Sequence, residues 1–350
     1  MTVIPRSIDE IDAAWLATAT GLRITGVRAE QIGVGIGVAS AVYRLWLTGD
    51  GVPATMVMKL RAIDETAAFT SALLRMYQRE VRFFSELAHR TPIRVPRCYA
   101  GLVSEDGADY ALVIEDMGGN RVVDQNAGMD LADAEQAIDE LAAHHATFWG
   151  DGDRYLSSGA ALRTDDPIYP AVLPIAFSEG WEIVQAEIEV APSIAVVAPR
   201  WIDGLDARAQ QLAGPPSTLL HGDFRADNIF FDAEGRVVLL DFQLTGVGSG
   251  PVDLAYFVTQ SLAPEVAGQH ERGLFDRYID GLRTSGVPAV DKDLLWHTYR
   301  TAALVCLVYP LVAIRHMDLS DPRTRKLAHN MLRRCARAIE DLELENLLAN

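Results

Sequence analysis

The chain has 350 residues, a formal net charge of −17 and 49% hydrophobic residues. This length exceeds the usual size of a single hydrophobic core, so we expect two lobes with a ligand cleft between them. The hydrophobic content excludes a disordered protein. The acidic charge argues against a nucleic-acid or anionic-membrane partner, because clustered Lys and Arg hold such partners. Ordinary solubilising acidity explains the charge, and a cationic substrate is an alternative.

Three features bear on where the protein works. Cys98, Cys306 and Cys335 are odd in number and far apart, which supports neither a disulfide framework nor a zinc site. Residues 1–10 carry charges where a signal peptide would be apolar. The apolar run 301–314 is too short to span a membrane and contains a proline, which predicts a buried helix. We therefore expect a cytoplasmic protein with no membrane partner.

The N-terminal third shows the alternation of apolar and polar residues that is typical of strands. Helical spacing occupies residues 9–21, and strands are predicted over 24–37, 41–48, 54–60, 97–103 and 110–115. Between the third and fourth strands, residues 64–90 have the period of a helix, with these side chains on one face: Leu73, Leu74, Tyr77, Val81, Phe84 and Leu87. The pattern predicts an antiparallel five-stranded lobe with one inserted helix.

From residue 130 onward the periodicity is mostly helical, most clearly over residues 131–149. The exception is a pair of short apolar runs, 229–231 and 237–240, which a turn at residues 232–235 would join into a hairpin. The sequence therefore predicts an α+β protein with lobes at residues 1–117 and 118–350, and a hinge near Met117.

The most informative motif is the stretch 221–228, which reads H-G-D-F-R-A-D-N, followed after the hairpin by D-F-Q at 241–243. Asp223 can accept the proton of a substrate hydroxyl, while the Asn228 amide oxygen can bind a metal. The hairpin would set Asp241 beside Asn228, so that two oxygen ligands face one magnesium ion. Asp and Asn are also common turn residues, but that explanation does not account for their joint order.

At these residues the chain resembles the aminoglycoside phosphotransferase and choline kinase family, in the protein-kinase-like superfamily, and it looks closest to the ecdysteroid-kinase-like branch. The resemblance implies a bilobal protein-kinase-like fold and transfer of the ATP γ-phosphoryl group to a hydroxyl. Asp223 would be the catalytic residue, and Asn228 and Asp241 would hold Mg²⁺. Lys59, at the end of an apolar strand, and Glu80 match the family pair that orients the nucleotide phosphates.

The resemblance extends to weaker nucleotide-binding elements. Gly35, Gly37 and Ser40 lie in the turn that would cover the phosphates, although the glycines do not spell G-x-G-x-x-G and a plain hairpin turn fits nearly as well. Glu115 and Met117 stand where the family linker offers backbone groups to the adenine ring. An ordinary acidic loop is the alternative there.

Further residues have supporting roles in the prediction. Asp253 resembles the family aspartate that accepts hydrogen bonds from the catalytic-loop backbone. His221, like Asp253, is predicted to give structural support and not to take part in catalysis. His145 is predicted to be a packed helix histidine. Only 12 positions separate Asp241 from Asp253. This interval leaves little room for the long activation segment on which protein kinases dock a peptide, so we predict a small-molecule acceptor without a phosphorylation gate.

The sequence leaves three classes of phosphate acceptor as alternatives: an aminoglycoside, an amino alcohol and a hydroxylated lipid. It should lie between the catalytic loop and the helical region 151–199 together with the C-terminal helices. Four acidic side chains there could bind an amine, and three aromatic ones could line an apolar pocket: Asp165, Asp166, Glu179 and Glu182, and Tyr169, Phe177 and Trp181. A nucleotide-binding module without turnover and a metal-dependent phosphohydrolase are the rival functions. The oligomeric state is left open.

Overall fold

The computed structural model describes residues 3–33 and 39–348. After helix α1 (Ala13–Thr20), the N-terminal part forms an antiparallel five-stranded sheet in the order β1-β2-β3-β5-β4. Its strands are β1 (Ile24–Ile32), β2 (Ser40–Gly49), β3 (Thr55–Arg61), β4 (Cys98–Val103) and β5 (Tyr110–Glu115). The predicted five-stranded antiparallel lobe is confirmed.

The inserted segment of residues 64–90 is not the single helix that its period predicts. Helix α2 (Glu65–Leu73) ends before Arg75, whose φ of 54° lies in the left-handed region. Helix α3 (Met76–Arg82) follows and continues as a π-helical turn, Phe83–Leu87. Of the side chains on the predicted face, Leu73 in α2 is 42% exposed, whereas Val81 in α3 is buried.

The chain beyond residue 117 is mainly helical, as predicted. Its helices are α4 (Leu131–Thr147), α5 (Asp153–Ser157), α6 (Ile168–Glu187), α7 (Pro192–Val197), α8 (Leu205–Ala213), α9 (Pro251–Ser261), α10 (Pro264–Thr284), α11 (Lys292–Val305), α12 (Val308–Ile314) and α13 (Pro322–Asp341). Asp130 caps α4 by accepting a hydrogen bond from the backbone N–H of Asp133. The core of this part surrounds α9, in which ten residues are buried.

Six short strands lie among these helices: β6 (Arg121–Val122), β7 (Leu162–Arg163), β8 (Thr218–Leu220), β9 (Ile229–Phe231), β10 (Val237–Leu239) and β11 (Gly246–Gly248). β9 and β10 form the predicted antiparallel hairpin, with Phe230 opposite Val238. β6 adds to this hairpin, and β7, β11 and β8 form a second small sheet. The predicted lobe boundary at residue 117 therefore falls between β5 and a strand that pairs with the C-terminal part.

The apolar run of residues 301–314 is divided between two helices. α11 ends at Val305 and α12 begins at Val308, so the run is broken before its proline. Within the described residues, the stretch Lys292–Ile314 is long and apolar enough to cross a membrane by length and composition, and 67% of its most apolar window is buried inside the fold. A helix in the core of a soluble protein can have the same length and composition, so this stretch is weak evidence for a membrane span.

A buried histidine gives the fold a pH-dependent stability. His144 in α4 is 1% exposed, and its Nδ1 lies 2.9 Å from Thr91 Oγ1. Burial lowers the pKa of His144 from 6.5 to about 3. The unfolded chain therefore binds a proton below pH 6.5 that the folded chain does not, so stability falls as the pH drops from 6.5 towards 3.

We expect the His144→Asn variant to lose less stability than the wild type on acidification. Between pH 7.5 and 5.5 the difference should be about 1.4 kcal/mol, because a single histidine is protonated only in the unfolded state. Urea unfolding at the two pH values measures it. Equal changes in the two proteins would show that His144 does not contribute this dependence.

Candidate active site

A cavity of about 240 Å³ lies between the five-stranded sheet and the helical part. Its lining comes from the sheet, from the segment after β5 and from both ends of the β9–β10 hairpin: Ile32, Val42, Arg44, Val57, Lys59, Ile114, Glu115, Asp116, Met117, Gly118, Asp227, Asn228, Phe230, Leu240 and Asp241. Five of the residues predicted from the sequence for nucleotide or metal binding therefore line one cavity. Apolar side chains from both parts of the chain form most of its walls, as is usual for a ligand pocket.

Lys59 connects the two parts of the chain. It lies on β3, and its Nζ is 2.6 Å from Glu80 Oε1 on α3 and 3.0 Å from Asp241 Oδ1. The predicted pair of Lys59 with Glu80 is thus present in the structure. The contact with Asp241 brings the lysine within hydrogen-bonding distance of the predicted metal ligand.

The charges of this cluster are strongly coupled. Burial lowers the pKa of Lys59, but attraction to Asp241 and Glu80 outweighs it, so that the net shift is upward and the ammonium stays charged. Burial raises the pKa of the Glu80 carboxyl to about 7 despite the neighbouring lysine, and Asp241 adds to the rise. Glu80 and Asp241 both contact Lys59. The ionised forms of two neighbouring carboxyl groups repel each other, and burial adds to the cost unless further positive charge is present.

The loop of residues 221–228 brings Asp223 and Asn228 into contact. Asn228 Nδ2 donates to the Asp223 carbonyl oxygen at 2.9 Å and to Asp223 Oδ2 at 2.8 Å. The hairpin closes as predicted, since the Leu240 N–H donates to the Asn228 carbonyl at 2.9 Å and so places Asp241 next to Asn228. With its amide nitrogen committed to Asp223, the Asn228 side chain has its oxygen left for another partner.

Two donors on Asp223 were not identified from the sequence. Tyr256 Oη on α9 donates to Asp223 Oδ1 at 2.9 Å, and Arg225 Nε lies 3.2 Å from the same oxygen. The Tyr256 ring stacks on Tyr309 with centroids 3.9 Å apart. Arg225 follows Asp223 by two residues in the same motif, so the sequence could have suggested that the two side chains are in contact. No signal in the sequence linked Tyr256 to the loop.

Asp241 has an unusual backbone conformation. Its φ is 67°, in the left-handed region that non-glycine residues rarely adopt. Gln243 Nε2 donates to Asp241 Oδ2 at 3.1 Å. The next side chain, Phe242, stacks on Phe83 with centroids 3.5 Å apart and an interplanar angle of 5°. Backbone strain of this kind is generally associated with functional sites, and here it lies at the predicted metal ligand.

The amide oxygen of Asn228 and the carboxylate of Asp241 are suitable ligands for Mg²⁺, which binds oxygen and usually takes only one or two protein ligands besides phosphate and water. Within the described residues, no cluster of three or more His, Cys, Asp or Glu side chains could hold a metal by itself. The donor set therefore fits an ion that arrives with a phosphate-bearing ligand and does not fit a self-contained protein cage.

Asp253 accepts hydrogen bonds from the backbone of the loop of residues 221–228, as predicted. Its Oδ2 accepts the backbone N–H of His221 at 2.7 Å, and its Oδ1 accepts that of Gly222 at 2.9 Å. His145 Nε2 lies 3.2 Å from Oδ2, and its Nδ1 lies 2.8 Å from Tyr278 Oη, so His145 is a packed helix residue. Burial opposes ionisation of Asp253, but the hydrogen bonds and charge of the histidines lower its pKa overall.

Gly222 allows the loop its tight turn. Its φ is 82°, and a Cβ at this position would overlap the carbonyl oxygen of Leu244. Gly235, at the hairpin turn, has a similar φ of 79°, but among the described residues no heavy atom lies within 4 Å of the place a Cβ would take. Substitution of Gly235 by alanine therefore introduces backbone strain alone, whereas substitution of Gly222 introduces strain and steric overlap.

We expect Gly222→Ala to lower the free energy of unfolding by at least about 3 kcal/mol, because strain and steric overlap add. Gly235→Ala should cost about 1 kcal/mol from strain alone. Urea unfolding of both variants measures the difference. Equal losses would mean that the loop relaxes around the added methyl group.

The predicted adenine-binding segment follows β5. The Glu115 carboxylate pairs with Arg94 at 2.7 Å and accepts the Arg97 N–H at 3.0 Å, contacts that outweigh burial and lower its pKa. Met117 is buried at 7% exposure and lines the cavity. Neighbouring Asp116 pairs with Arg44 at 2.7 Å, which holds this segment against β2.

The phosphate-covering turn is only partly described. Gly35 and Gly37 lie outside the described residues, so the prediction for them stays a prediction. Ser40 begins β2, where its Oγ accepts a hydrogen bond from Tyr110 Oη at 2.6 Å. This hydroxyl therefore accepts one hydrogen bond inside the sheet, and its own proton is left for another partner.

The residues suggested for the acceptor are mostly engaged elsewhere. Asp165 pairs with Arg163 at 2.7 Å, Asp166 accepts the Ile168 N–H at 3.0 Å, and Glu179 pairs with Arg315. Phe177 is 1% exposed and stacks on Trp201, so it is part of the core. Tyr169 and Trp181 are half-buried. Three of the four acidic side chains that the sequence offered for an amine, all except Glu182, thus have other partners.

The three cysteines are free thiols in the structure, as predicted. Cys306 and Cys335 are buried and Cys98 is partly buried. Burial raises the pKa of Cys98 to about 11 and that of Cys335 to about 12, which makes these thiols poor nucleophiles at neutral pH.

The antiparallel lobe, the Lys59–Glu80 pair and the loop-and-hairpin arrangement together define a phosphotransferase of the protein-kinase-like superfamily. Residues 30–286 match the model of the phosphotransferase enzyme family, APH. The chain belongs to this family, and its activity is that of a small-molecule phosphotransferase. The narrower ecdysteroid-kinase-like assignment stays a prediction.

Solved structures share this fold. A candidate aminoglycoside phosphotransferase from Ralstonia eutropha JMP134 is 16% identical, with a TM-score of 0.52 over 95% of this chain and 97% of the other. APH(2")-IIIa, solved with GDP and kanamycin, is 13% identical, with a TM-score of 0.53 over 94% and 97%. A microcompartment-associated aminopropanol kinase is 14% identical, with a TM-score of 0.50 over 92% and 94%. A search of curated proteins found no significant match.

Proposed function

We propose that the protein transfers the γ-phosphoryl group of ATP to a hydroxyl of a small molecule, in the presence of Mg²⁺. The observation that carries this proposal is the convergence of Asp223, Asn228, Asp241 and Lys59 at one cleft, with Lys59 joined to both Glu80 and Asp241. Positioning and charge stabilisation are what phosphoryl transfer requires of a protein. The GDP bound to one of the similar structures also supports a nucleotide in this cleft.

In the proposed mechanism Asp223 accepts a hydrogen bond from the acceptor hydroxyl and takes its proton during transfer. The hydroxyl oxygen forms a bond to the γ-phosphorus, and the bond from that phosphorus to the bridging oxygen breaks, which releases ADP. Lys59, fixed by Glu80, orients the α and β phosphates. Asn228 and Asp241 would hold Mg²⁺, which neutralises phosphate charge when it is bound.

The remaining proposed assignments concern the surroundings of the reaction. Glu115 and Met117 would place the adenine ring, and Gly35, Gly37 and the backbone of Ser40 would cover the phosphates. The net charge of −17 supports a small-molecule acceptor and the absence of a nucleic-acid or membrane partner. We also propose that the protein works in the cytoplasm, since its thiols are free.

The rival functions make different use of the same residues. A phosphohydrolase would need Asp223, Asn228 and Asp241 but not a buried Lys59–Glu80 pair, and this pair favours the kinase. A binding module without turnover would have lost a catalytic group, whereas the described cleft retains the complete set. Both observations support turnover of a nucleotide.

A screen of nucleotide consumption tests the proposal. Purified protein is incubated with ATP or GTP, with and without Mg²⁺, against aminoglycosides, amino alcohols and hydroxylated lipids, and both ADP and phosphorylated product are measured. Consumption that depends on acceptor and Mg²⁺ supports a small-molecule kinase. Phosphate release without any nucleotide would indicate the hydrolase, and nucleotide binding without consumption would indicate the module.

A further inference from the structure

Helix α9 packs against the loop that carries Asp223 and contacts it at three points. Asp253 accepts two backbone N–H groups of the loop just before Asp223, and Ser261 Oγ accepts the Ala226 N–H after it. The third contact comes from Tyr256, one helical turn after Asp253, and it is made to the carboxylate of Asp223 itself. The helix therefore holds both the backbone of the loop and its reacting side chain.

The hydroxyl of Tyr256 has one hydrogen-bond partner among the described residues. Its Oη donates to Asp223 Oδ1 at 2.9 Å, and Tyr256 is 5% exposed. Burial and the negative charge of Asp223 raise the pKa of Tyr256 well above its ordinary value, so the hydroxyl keeps its proton and remains a donor. The ring stacks on Tyr309, with centroids 3.9 Å apart and an interplanar angle of 24°. The donor is therefore fixed in direction as well as in charge state.

The two carboxylate oxygens of Asp223 have different surroundings. Oδ1 accepts the Tyr256 hydroxyl and lies 3.2 Å from Arg225 Nε. Oδ2 accepts a single hydrogen bond, from Asn228 Nδ2 at 2.8 Å. An ionised carboxylate oxygen can accept two hydrogen bonds, so Oδ1 is occupied on both sides and Oδ2 has one position open. Among the described residues, this leaves Oδ2 as the oxygen that can receive a substrate hydroxyl.

The Asp223 side chain does not by itself keep Oδ2 in this position. Rotation about the bond from Cβ to Cγ exchanges the two oxygens, and this torsion is broad in aspartate, with no sharp rotamer. Tyr256 on one oxygen and Asn228 on the other hold the torsion in place. Proton transfer needs the base within hydrogen-bonding reach of the hydroxyl, and a misplacement of about 1 Å can lower a rate roughly 10²-fold.

We infer that Tyr256 is a positioning residue: its hydroxyl holds Asp223 by Oδ1, so that Oδ2 takes the proton of the substrate hydroxyl. This inference rests on the proposed function. The hydroxyl oxygen forms its bond to the γ-phosphorus, the bond from that phosphorus to the bridging oxygen breaks and releases ADP, and the hydroxyl proton goes to Oδ2. Tyr256 keeps its own proton throughout and acts only through Asp223.

Tyr256→Phe removes the hydroxyl and keeps the ring that stacks on Tyr309. It should lower kcat by about 10- to 100-fold and change the KM for MgATP by less than about threefold, because proton transfer is affected and nucleotide binding is not. Turnover is measured with the fastest acceptor from the screen of nucleotide consumption. It is also measured as phosphate release from MgATP, with water as the acceptor.

Tyr299→Phe is the matched control. Tyr299 Oη donates to Glu271 Oε1 at 2.6 Å, both side chains are buried, and Glu271 also pairs with Arg337. This contact has the chemistry of the contact between Tyr256 and Asp223, but it lies outside the cavity lining, between α10 and α11. Both substitutions should lower the melting temperature to a similar degree. Only Tyr256→Phe should lower kcat, and the control should stay within about twofold of the wild type.

A double-mutant cycle shows whether Tyr256 acts through Asp223. In the Asp223→Asn background, Tyr256→Phe should lower kcat by less than about twofold, because the base that the hydroxyl positions is already absent. A merely structural role would lower kcat by the same factor in both backgrounds. If Tyr256→Phe is unfolded at the assay temperature, as judged by thermal melting, Tyr309→Leu takes its place. It removes the ring that holds Tyr256, and its effect on kcat should vanish in the same background.

The outcomes distinguish two failures. Equal kcat values for Tyr256→Phe and Tyr299→Phe, or an equal loss with and without the Asp223 carboxylate, would overturn the inference while the proposed function stands. If the wild-type protein neither phosphorylates any acceptor of the screen nor releases phosphate from MgATP, the proposed function fails and the inference fails with it.

Discussion

Replacement of Asp223 by Asn is expected to lower kcat by about 10²- to 10⁴-fold, the range associated with a positioned general base. The amide keeps the shape of the carboxylate but cannot take the proton of the acceptor. Tyr256 Oη and Asn228 Nδ2 donate to different oxygens of Asp223, at 2.9 and 2.8 Å, so an amide keeps one of these two hydrogen bonds and the side chain stays held on that side. The loss should therefore appear in turnover, with nucleotide affinity nearly unchanged.

Steady-state kinetics with the best acceptor and titration with MgADP measure the two quantities separately. Asp232→Asn is the matched control, because this carboxylate at the hairpin turn hydrogen-bonds to Arg236 and lies outside the cavity lining. Its turnover should stay within about twofold of the wild type. A kcat for Asp223→Asn equal to that of the control would remove Asp223 from the proposed mechanism.

The sequence was most predictive where local pattern and chemistry agree. The hairpin between Asn228 and Asp241 follows from two β-branched or aromatic runs around an Asp-Ala-Glu-Gly turn, and β9 and β10 pair as that pattern predicts. Lys59 was identified by its place at the end of an apolar strand. Its contact with Glu80, 21 positions away, came from the family resemblance, because separation in sequence does not determine contact.

The features that were missed lack a local signal. β7, β8 and β11 are two or three residues long, and such strands show no period. The break at Arg75 interrupts a segment whose apolar positions still follow a helical count, since hydrophobic period does not report a single left-handed residue. Tyr256 reaches Asp223 only because α9 packs beneath the loop, which is a tertiary contact.

Asp253 is the residue whose loss we expect to affect stability most. It is 1% exposed and accepts the N–H groups of His221 and Gly222 as well as a contact from His145. Asp253→Ala leaves these buried donors without a partner, and each costs roughly 1 to 3 kcal/mol. The free energy of unfolding should fall by about 4 kcal/mol, in the range observed for broken buried ion pairs.

The same substitution should also lower turnover in the protein that remains folded. Asp223 directly follows His221 and Gly222 in the chain, so the loss of their hydrogen bonds should displace it. Asp253→Asn keeps one acceptor oxygen and should lose about half as much stability, since one loop N–H still has a partner. Urea unfolding and kcat at 10 °C for both variants test this order. If Asp253→Ala unfolds like the wild type but turns over slowly, Asp253 acts on the chemistry directly, and the supporting role assigned to it is wrong.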